Sequence, residues 1–367
     1  MKRSRFVFPV LAIGCIFLTA TTTVNAADAI KFRVQSALVS GSLYFNILES
    51  FADRLEAISG GELQAEILPA GAVVSTNEIL DAVGAGVVEA GFCWTHFWSG
   101  KHPAAYLFSD QPSVNGMDQL GFIAWYYEGD GYDLYQELYD EHLKANVKGI
   151  MVLASGGQPL GWFKQPINSI TDFRKIKYRS PPGLTGKIFN EMGVSAVALP
   201  GEEIVPSAQK GVIDAAEWIN PAEDIKLGLQ QVWKNYYLQG VHQASDLGEL
   251  TFNKDFWNKL SAQQQAMIEV SAQATMMESV TAHIYRNAVA LEELKTKYGV
   301  VVRDTPNDLY PEFLRAAAKV SDDAAAENEF FKKVLENQRQ FADTIVPYWT
   351  KQLGLYYSLG SAKLGQQ

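Results

Sequence analysis

Apolar residues fall on alternate positions at Ile30, Phe32 and Val34. They then switch to helical spacing at Phe45, Ile47, Leu48, Phe51, Leu55 and Ile58. The change of period predicts a strand over 30–36, then a helix entered from a Ser40-Gly41-Ser42 cap and stopped by Gly60-Gly61. Leu63, Ala65 and Ile67 alternate again, a short helix is expected over 77–83, and 87–92 has the composition of a buried strand. A second block starts at Gly149. Strands are expected over 150–153, 176–179 and 194–199, with helices over 185–192 and 202–209 and a Pro181-Pro182-Gly183 break between them. Strands and helices that alternate in this way predict an α/β fold with parallel sheet elements.

Two segments echo each other. "AVGAGVVEAGF" (82–92) and "SAQKGVIDAAEW" (207–218) share a helix end, a Gly, an aliphatic pair, an acid and an Ala, with Gly86 matching Gly211. A helix ending at a Gly that feeds a buried strand accounts for both copies, and fits two lobes built on one plan. Both strands run out into aromatics: Phe92-Cys93-Trp94 in the first and Glu217-Trp218 in the second.

The C-terminal third is helical. Ser261 with Gln264 forms a capping box ahead of a periodic segment reaching about Lys297, roughly 50 Å of helix. A further amphipathic stretch, 328–355, carries Phe330, Phe331, Val334, Leu335, Phe341, Ile345, Val346, Trp349 and Leu353, and Pro347 is expected to kink or end it. Its apolar face has two possible partners, the rest of its own chain or a second subunit.

Composition narrows the class. Lys2, Arg3 and Arg5 precede an apolar run, Phe6 to Ala20, and Val24-Asn25-Ala26 follows as a small-residue cleavage pattern, so 1–26 has the form of a secretory leader. Gly14-Cys15 offers a lipoprotein alternative. Removing the leader takes away three positive charges and no negative ones, moving the formal charge from -10 to -13. An acidic chain without basic runs excludes nucleic acid as a natural partner. Cys93 is then the single cysteine, and a leader with so few cysteines points to a bacterial periplasm.

No HExxH, CxxC, Walker loop or G-x-S-x-G occurs, and "GAGVVE" (84–89) carries Glu89 where a dinucleotide fingerprint needs its last Gly. Cys93 and His96 stand close together without an orienting acid nearby in sequence, so they do not form a catalytic pair. What remains are polar residues among aromatics at strand ends, where α/β sheets place their ligands. They are Gln158 in "SGGQPLGWF", Arg179 in "KIKYRSPPG", Glu217 and Trp218, His242 and Gln243 in "GVHQASD", and the loop Trp94, Thr95, His96, Phe97 and Trp98. Arg is the residue suited to a two-pronged grip on a carboxylate, and a buried Glu beside it needs a cation or a donor.

Six segments together resemble the extracytoplasmic solute-binding proteins of TRAP transporters, in particular the branch that binds 2-oxo and hydroxy acids. They are "GGELQAEILPAGAVV" (60–74), "DAVGAGVVEAGFCW" (81–94), "FWSGKHPA" (97–104), "GWFKQPINSITDFRKIKYRSPPG" (161–183), "GVIDAAEWINP" (211–221) and "YYLQGVHQ" (236–243). The resemblance implies a two-lobed periplasmic-binding-protein fold with a ligand cleft, a long helix spanning both lobes and a helical C-terminal extension. It implies a first lobe over 27–153 and 246–325, a second over 154–245, and a C-terminal helical segment over 326–367. It also implies that Arg179 pairs with the carboxylate of a small acid such as pyruvate or lactate, with Gln158, Trp94, Thr95, His96 and Trp218 around it. A metal cation, sodium or calcium, is implied at Gln158, Glu217, Trp218 (through its carbonyl) and Gln243. The implied partners are the TRAP membrane permease and a second copy bound through the C-terminal helices.

One departure stands out. Where the branch reads His-Glu, this chain reads His242-Gln243, which keeps an oxygen ligand and loses a charge. That leaves open a more weakly held, monovalent or absent cation and a different acid. A periplasmic receptor serving a signalling partner needs the same closing cleft. An enzyme is disfavoured because no nucleophile and base occur together.

Overall fold

The computed structural model describes residues 29–365 apart from 112–114, 182 and 200; the expected leader lies outside the described residues. Strand β1 (Ile30–Ser36) leads into helix α1 (Leu43–Ile58) and strand β2 (Leu63–Leu68). The Ser42 hydroxyl accepts from Phe45 N at 3.2 Å, which starts α1, and Gly60 and Gly61, both at positive φ, end it. Helix α2 (Ile79–Gly84) and strand β3 (Ala90–Trp94) follow. The strand expected over 87–92 therefore sits later, because its pairing with β1 begins at Val34 and Ala90.

The periodicity left 95–146 unassigned. There β4 (Asp110–Gln111), α3 (Gln119–Glu128) and α4 (Gly131–Glu137) precede β5 (Val147–Ala154). The chain then builds β6 (Gly161–Phe163), α5 (Ile170–Phe173), β7 (Lys177–Ser180), α6 (Leu184–Glu191), β8 (Ser195–Ala198), α7 (Gly201–Gln209), β9 (Ala215–Ala216), α8 (Pro221–Leu227) and β10 (Asn235–Tyr237). It returns through β11 (Ser245–Asn253) and α9 (Lys254–Trp257) to α10 (Ala262–Thr296), and closes with β12 (Val301–Arg303), α11 (Leu309–Glu327) and α12 (Glu329–Leu364).

Two mixed sheets result, one per lobe. The first runs β2-β1-β3-β11-β4 with β5 also on β11; the second runs β12-β10-β6-β9-β7-β8. Three stretches cross between the sheets, 155–160, 238–244 and α10, which packs on β5 and α1 in the first lobe and α8 in the second, and the α11–α12 turn returns the chain to the first lobe. The echoed glycines are the same device twice. Gly86 and Gly211 take φ 72° and 71°. Val87 N reaches Ala82 O at 2.9 Å and Gly86 N reaches Val83 O at 3.0 Å; Val212 N reaches Ser207 O at 2.9 Å and Gly211 N reaches Ala208 O at 3.1 Å. These are two Schellman caps, and only Gly adopts that φ without strain.

Two expectations need correction. The first lobe expected over 246–325 takes in β12 and most of α11, yet β12 pairs with β10 and α11 packs on α6, burying Leu309, Phe313, Ala316 and Ala317 in the second lobe. The reason lies in α10, which delivers the chain to the far lobe at its C-terminal end. Of the two outcomes expected at Pro347, a kink or an end, the end does not occur: α12 continues to Leu364. Ile345 and Val346 pack on the first-lobe core, and Trp349 Nε1 donates to Asp118 Oδ2 at 3.0 Å, so contacts on both sides of the proline hold the helix. Phe330, Phe331, Val334, Leu335 and Ala342 bury α12 against its own chain, whereas Tyr356 and Tyr357 are exposed.

Candidate functional site

Arg179, on β7, is buried between the lobes. Its Nε donates to Leu199 O at 3.0 Å, and its Nη1 donates to Glu217 O at 3.1 Å and to the Glu217 carboxylate. Nη2 has no hydrogen-bond partner among the described residues. The Trp218 ring lies 5.3 Å from the guanidinium carbon, close enough for cation–π attraction. β9 pairs in parallel with β7 at Arg179 and Ala216, and this register brings Glu217 beside the arginine.

Gln158 faces three acceptors: Glu217 Oε2, the Trp218 carbonyl and Gln243 Oε1. With its amide nitrogen turned to them it donates at 3.1, 2.9 and 2.8 Å; with its oxygen turned to them, four oxygens face one another. A cation is what satisfies the second arrangement, because oxygens repel one another without one. Two amides, a carboxylate and a backbone carbonyl are the hard donors that sodium or calcium takes. The residues present therefore fit such an ion. Gln243 is oriented for this set: its Nε2 donates to Asp110 Oδ1, which leaves Oε1 for Gln158.

Burial pushes the Glu217 carboxyl above its ordinary range against the pull of Arg179, with Asp224, Asp110 and Asp246 reinforcing burial. A polar network backs the site. His96 Nδ1 stands 3.2 Å from Ser109 Oγ, 3.6 Å from Asp246 Oδ1 and 3.9 Å from Asp110 Oδ1, and Ser109 Oγ donates to Asp246 Oδ1 at 2.6 Å. Burial disfavours the His96 cation, yet Asp110 and Asp246 overcome it and raise its pKa to about 9. Burial lifts Asp110 to about 7 while His96 opposes it.

Of the expected residues, the structure brings together Gln158, Arg179, Glu217, Trp218 and Gln243, and joins His96 to them through Asp110. Trp94 stacks on Phe97 at 6.3 Å, and its Nε1 is buried without a partner among the described residues. Thr95, expected to face the ligand, turns its hydroxyl to Glu249 Oε2 at 3.0 Å instead. Trp98 Nε1 at 2.8 Å, Tyr139 OH at 2.6 Å and Tyr135 OH also donate to Glu249, a carboxylate that anchors the 95–98 loop from behind. Cys93 lies in the core, where burial raises its thiol pKa.

Sequence reasoning did not find Asp110, Ser109, Asp246 or Glu249, and no local pattern marks them. Nor did it find the contacts that shut the cleft. Tyr106 OH meets Thr185 Oγ1 at 2.6 Å, Asn220 Nδ2 donates to Tyr44 OH at 2.7 Å, and Tyr44 OH donates to Ser155 O at 3.1 Å. The lobes are closed over the site.

A family model for bacterial extracellular solute-binding proteins, family 7, matches residues 35–328. The chain belongs to this DctP family. It is accordingly a solute-binding receptor of the TRAP transporter type and not an enzyme. A curated relative, the monocarboxylate 2-oxoacid-binding periplasmic protein of Nostoc, is 31% identical over 348 residues, covering 92% of this chain and 91% of its own. The sialic acid-binding periplasmic protein SiaP of Vibrio cholerae is 25% identical over 272 residues, 72% of this chain and 79% of its own. Among solved structures, a TRAP solute-binding protein of Bordetella bronchiseptica superposes with TM-score 0.84 at 24% identity, over 92% of this chain and 99% of its own; it is described as a dimer with calcium and picolinate in its active site. One from Pseudoalteromonas atlantica, with sodium and pyruvate, gives TM-score 0.81 at 24% identity, over 90% of this chain and 98% of its own. These likenesses establish that this DctP-family chain has the two-lobed receptor fold. Family members work outside the cytoplasm.

Proposed function

We propose that this receptor captures a small 2-oxo or 2-hydroxy monocarboxylate, such as pyruvate or lactate, in the closed cleft and delivers it to a TRAP membrane permease. The observation that carries this reading is the convergence of Gln158, Glu217 Oε2, the Trp218 carbonyl and Gln243 Oε1 beside Arg179. Arg179 Nη2 is the prong left for the ligand carboxylate, since Nε and Nη1 are engaged by the protein. The Trp218 ring walls the guanidinium from water, which strengthens its attraction for an anion. Gln158, Glu217, Trp218 and Gln243 would hold a sodium or calcium ion, which gives the carboxylate a second positive anchor when bound. The 2-oxoacid-binding relative and the sodium–pyruvate and calcium–picolinate complexes support this assignment. We further propose that residues 1–26 export the chain to the periplasm and that the exposed end of α12 pairs two copies.

The test is a thermal-shift series on dialysed protein with pyruvate, lactate, longer 2-oxo acids and a C4-dicarboxylate, each with sodium, calcium or chelator in sodium-free buffer. A ligand at a hundred times its Kd adds about 2.7 kcal/mol. The expected result is a rise in Tm with a 2-oxo or 2-hydroxy acid that is lost when the cation is withdrawn. A cation-independent rise removes the metal from the reading, and no rise with any of these acids overturns it.

A further inference from the structure

His242 sits at the site with its hydrogen-bonding groups unused. The side chain is fully buried, and neither Nδ1 nor Nε2 has a partner among the described residues. Nε2 lies 4.0 Å from Glu217 Oε2, one of the oxygens gathered at Gln158. That is too long for a hydrogen bond, yet an atom placed beside Glu217 Oε2 comes within reach of Nε2. The ring tilts against Phe189 with centroids 5.7 Å apart, which fixes its plane. A neutral imidazole carries one donor and one acceptor, and the tautomer decides which nitrogen plays which part. Buried polar groups are almost always partnered, so two orphaned nitrogens on one ring, one of them 4.0 Å from Glu217 Oε2, point to a ligand group.

We propose that His242 is a specificity-determining residue that reads the oxygen on the carbon next to the ligand's carboxylate, donating to a 2-oxo group or accepting from a 2-hydroxyl. This rests on the carboxylate reading of the site given above. Arg179 donates to the Glu217 carboxylate, whose Oε2 is 4.0 Å from His242 Nε2, so a short acid held by Arg179 can present the oxygen of its adjacent carbon to His242. The exchange of tautomers lets one side chain serve both oxidation levels without a change of charge. An acid with no oxygen there leaves both nitrogens unpartnered and gains nothing from the residue.

The experiment is calorimetric titration of the purified protein and of His242→Phe and His242→Gln with pyruvate, lactate and propionate, with sodium or calcium present, beside the ligand-free Tm of each. Phe removes both polar groups and keeps the contact with Phe189. The expected result is that His242→Phe lowers the preference for pyruvate and lactate over propionate about tenfold. Its ligand-free Tm is unchanged or higher, because two unpartnered buried nitrogens are gone. His242→Gln restores a neutral donor and acceptor and recovers part of the preference. An unchanged preference in His242→Phe overturns the inference. So does an equal loss for all three acids with a lowered ligand-free Tm, which marks a histidine that only supports the fold. Wild-type protein that binds neither pyruvate nor lactate overturns the carboxylate reading of the site, and this inference with it.

Discussion

The backbone N–H of Leu43, first residue of α1, donates to Glu223 Oε1 at 2.7 Å although α1 belongs to the first lobe and α8, which carries Glu223, to the second. α1 has no acid in its own first turn, so Glu223 brings the negative charge that a helix N-terminus favours from across the cleft. Burial raises the Glu223 pKa, and the backbone N–H groups of Leu43 and Tyr44 work against that rise. The contact exists only while the lobes are closed. Glu223→Gln is expected to weaken ligand binding by about 1 kcal/mol, roughly fivefold, mostly through faster dissociation. Stopped-flow release of bound ligand measures this, and an unchanged release rate would show that the contact does not hold the cleft shut.

Arg179 and Glu217 are buried together, so removing one strands the other. Arg179→Met is expected to cost about 3–5 kcal/mol of ligand-free stability by leaving Glu217 uncompensated, and to weaken carboxylate binding by at least about thirtyfold. The double variant Arg179→Met/Glu217→Gln recovers stability and not binding. Denaturant melts and calorimetry separate the two effects. A single variant that binds pyruvate normally removes Arg179 from the site.

The far end of α12 leaves the body of the protein with its aromatics uncovered; Tyr356 and Tyr357 are 64% and 67% exposed. Ending the chain after residue 350 keeps the Trp349–Asp118 bond and the buried first half of the helix. The shortened protein is expected to bind ligand as before and to be a monomer by light scattering, while the full-length chain is a dimer. A full-length monomer refutes the pairing.

Asp224 accepts from Trp162 Nε1 at 2.8 Å, Tyr236 OH at 3.0 Å and Asn220 N at 3.2 Å, deep in the second lobe. Burial nonetheless pushes its pKa up from 3.8 to about 7. The folded state then holds a proton that the unfolded state has released between those values. The resulting stability is complete below about pH 4 and is lost as pH rises through 7. The slope from this one group is at most about 1.4 kcal/mol per pH unit. Stability measured from pH 4 to 8 is expected to fall less in Asp224→Asn than in wild type, and parallel curves would show that Asp224 is ionised throughout.

Much of the site was legible because its residues lie at ends of elements that the pattern marks. Arg179, Glu217, Gln158 and Gln243 each sit in a turn-bounded segment next to a strand, where period and punctuation are read from near neighbours. The resemblance then supplied their roles. The backing network was not legible. His96 stands in the 95–98 loop, but its partners Asp110 and Asp246 come from β4 and β11, and Glu249 collects donors from more than a hundred residues away.

The chain on its own determined the strand–helix alternation over 30–94 and 176–209, the twin Gly86 and Gly211 caps, the 35-residue α10 and the chemistry available at each strand end. These are local properties, set by side-chain period, capping hydroxyls and the freedom of Gly at positive φ. Only the tertiary structure decided that β12 and α11 join the second lobe, that α12 passes through Pro347, that Thr95 faces Glu249, and that Glu223 reaches Leu43. Those outcomes depend on pairings between residues far apart in sequence. Their free energies come from burial and hydrogen bonds that exist only after the two lobes have packed.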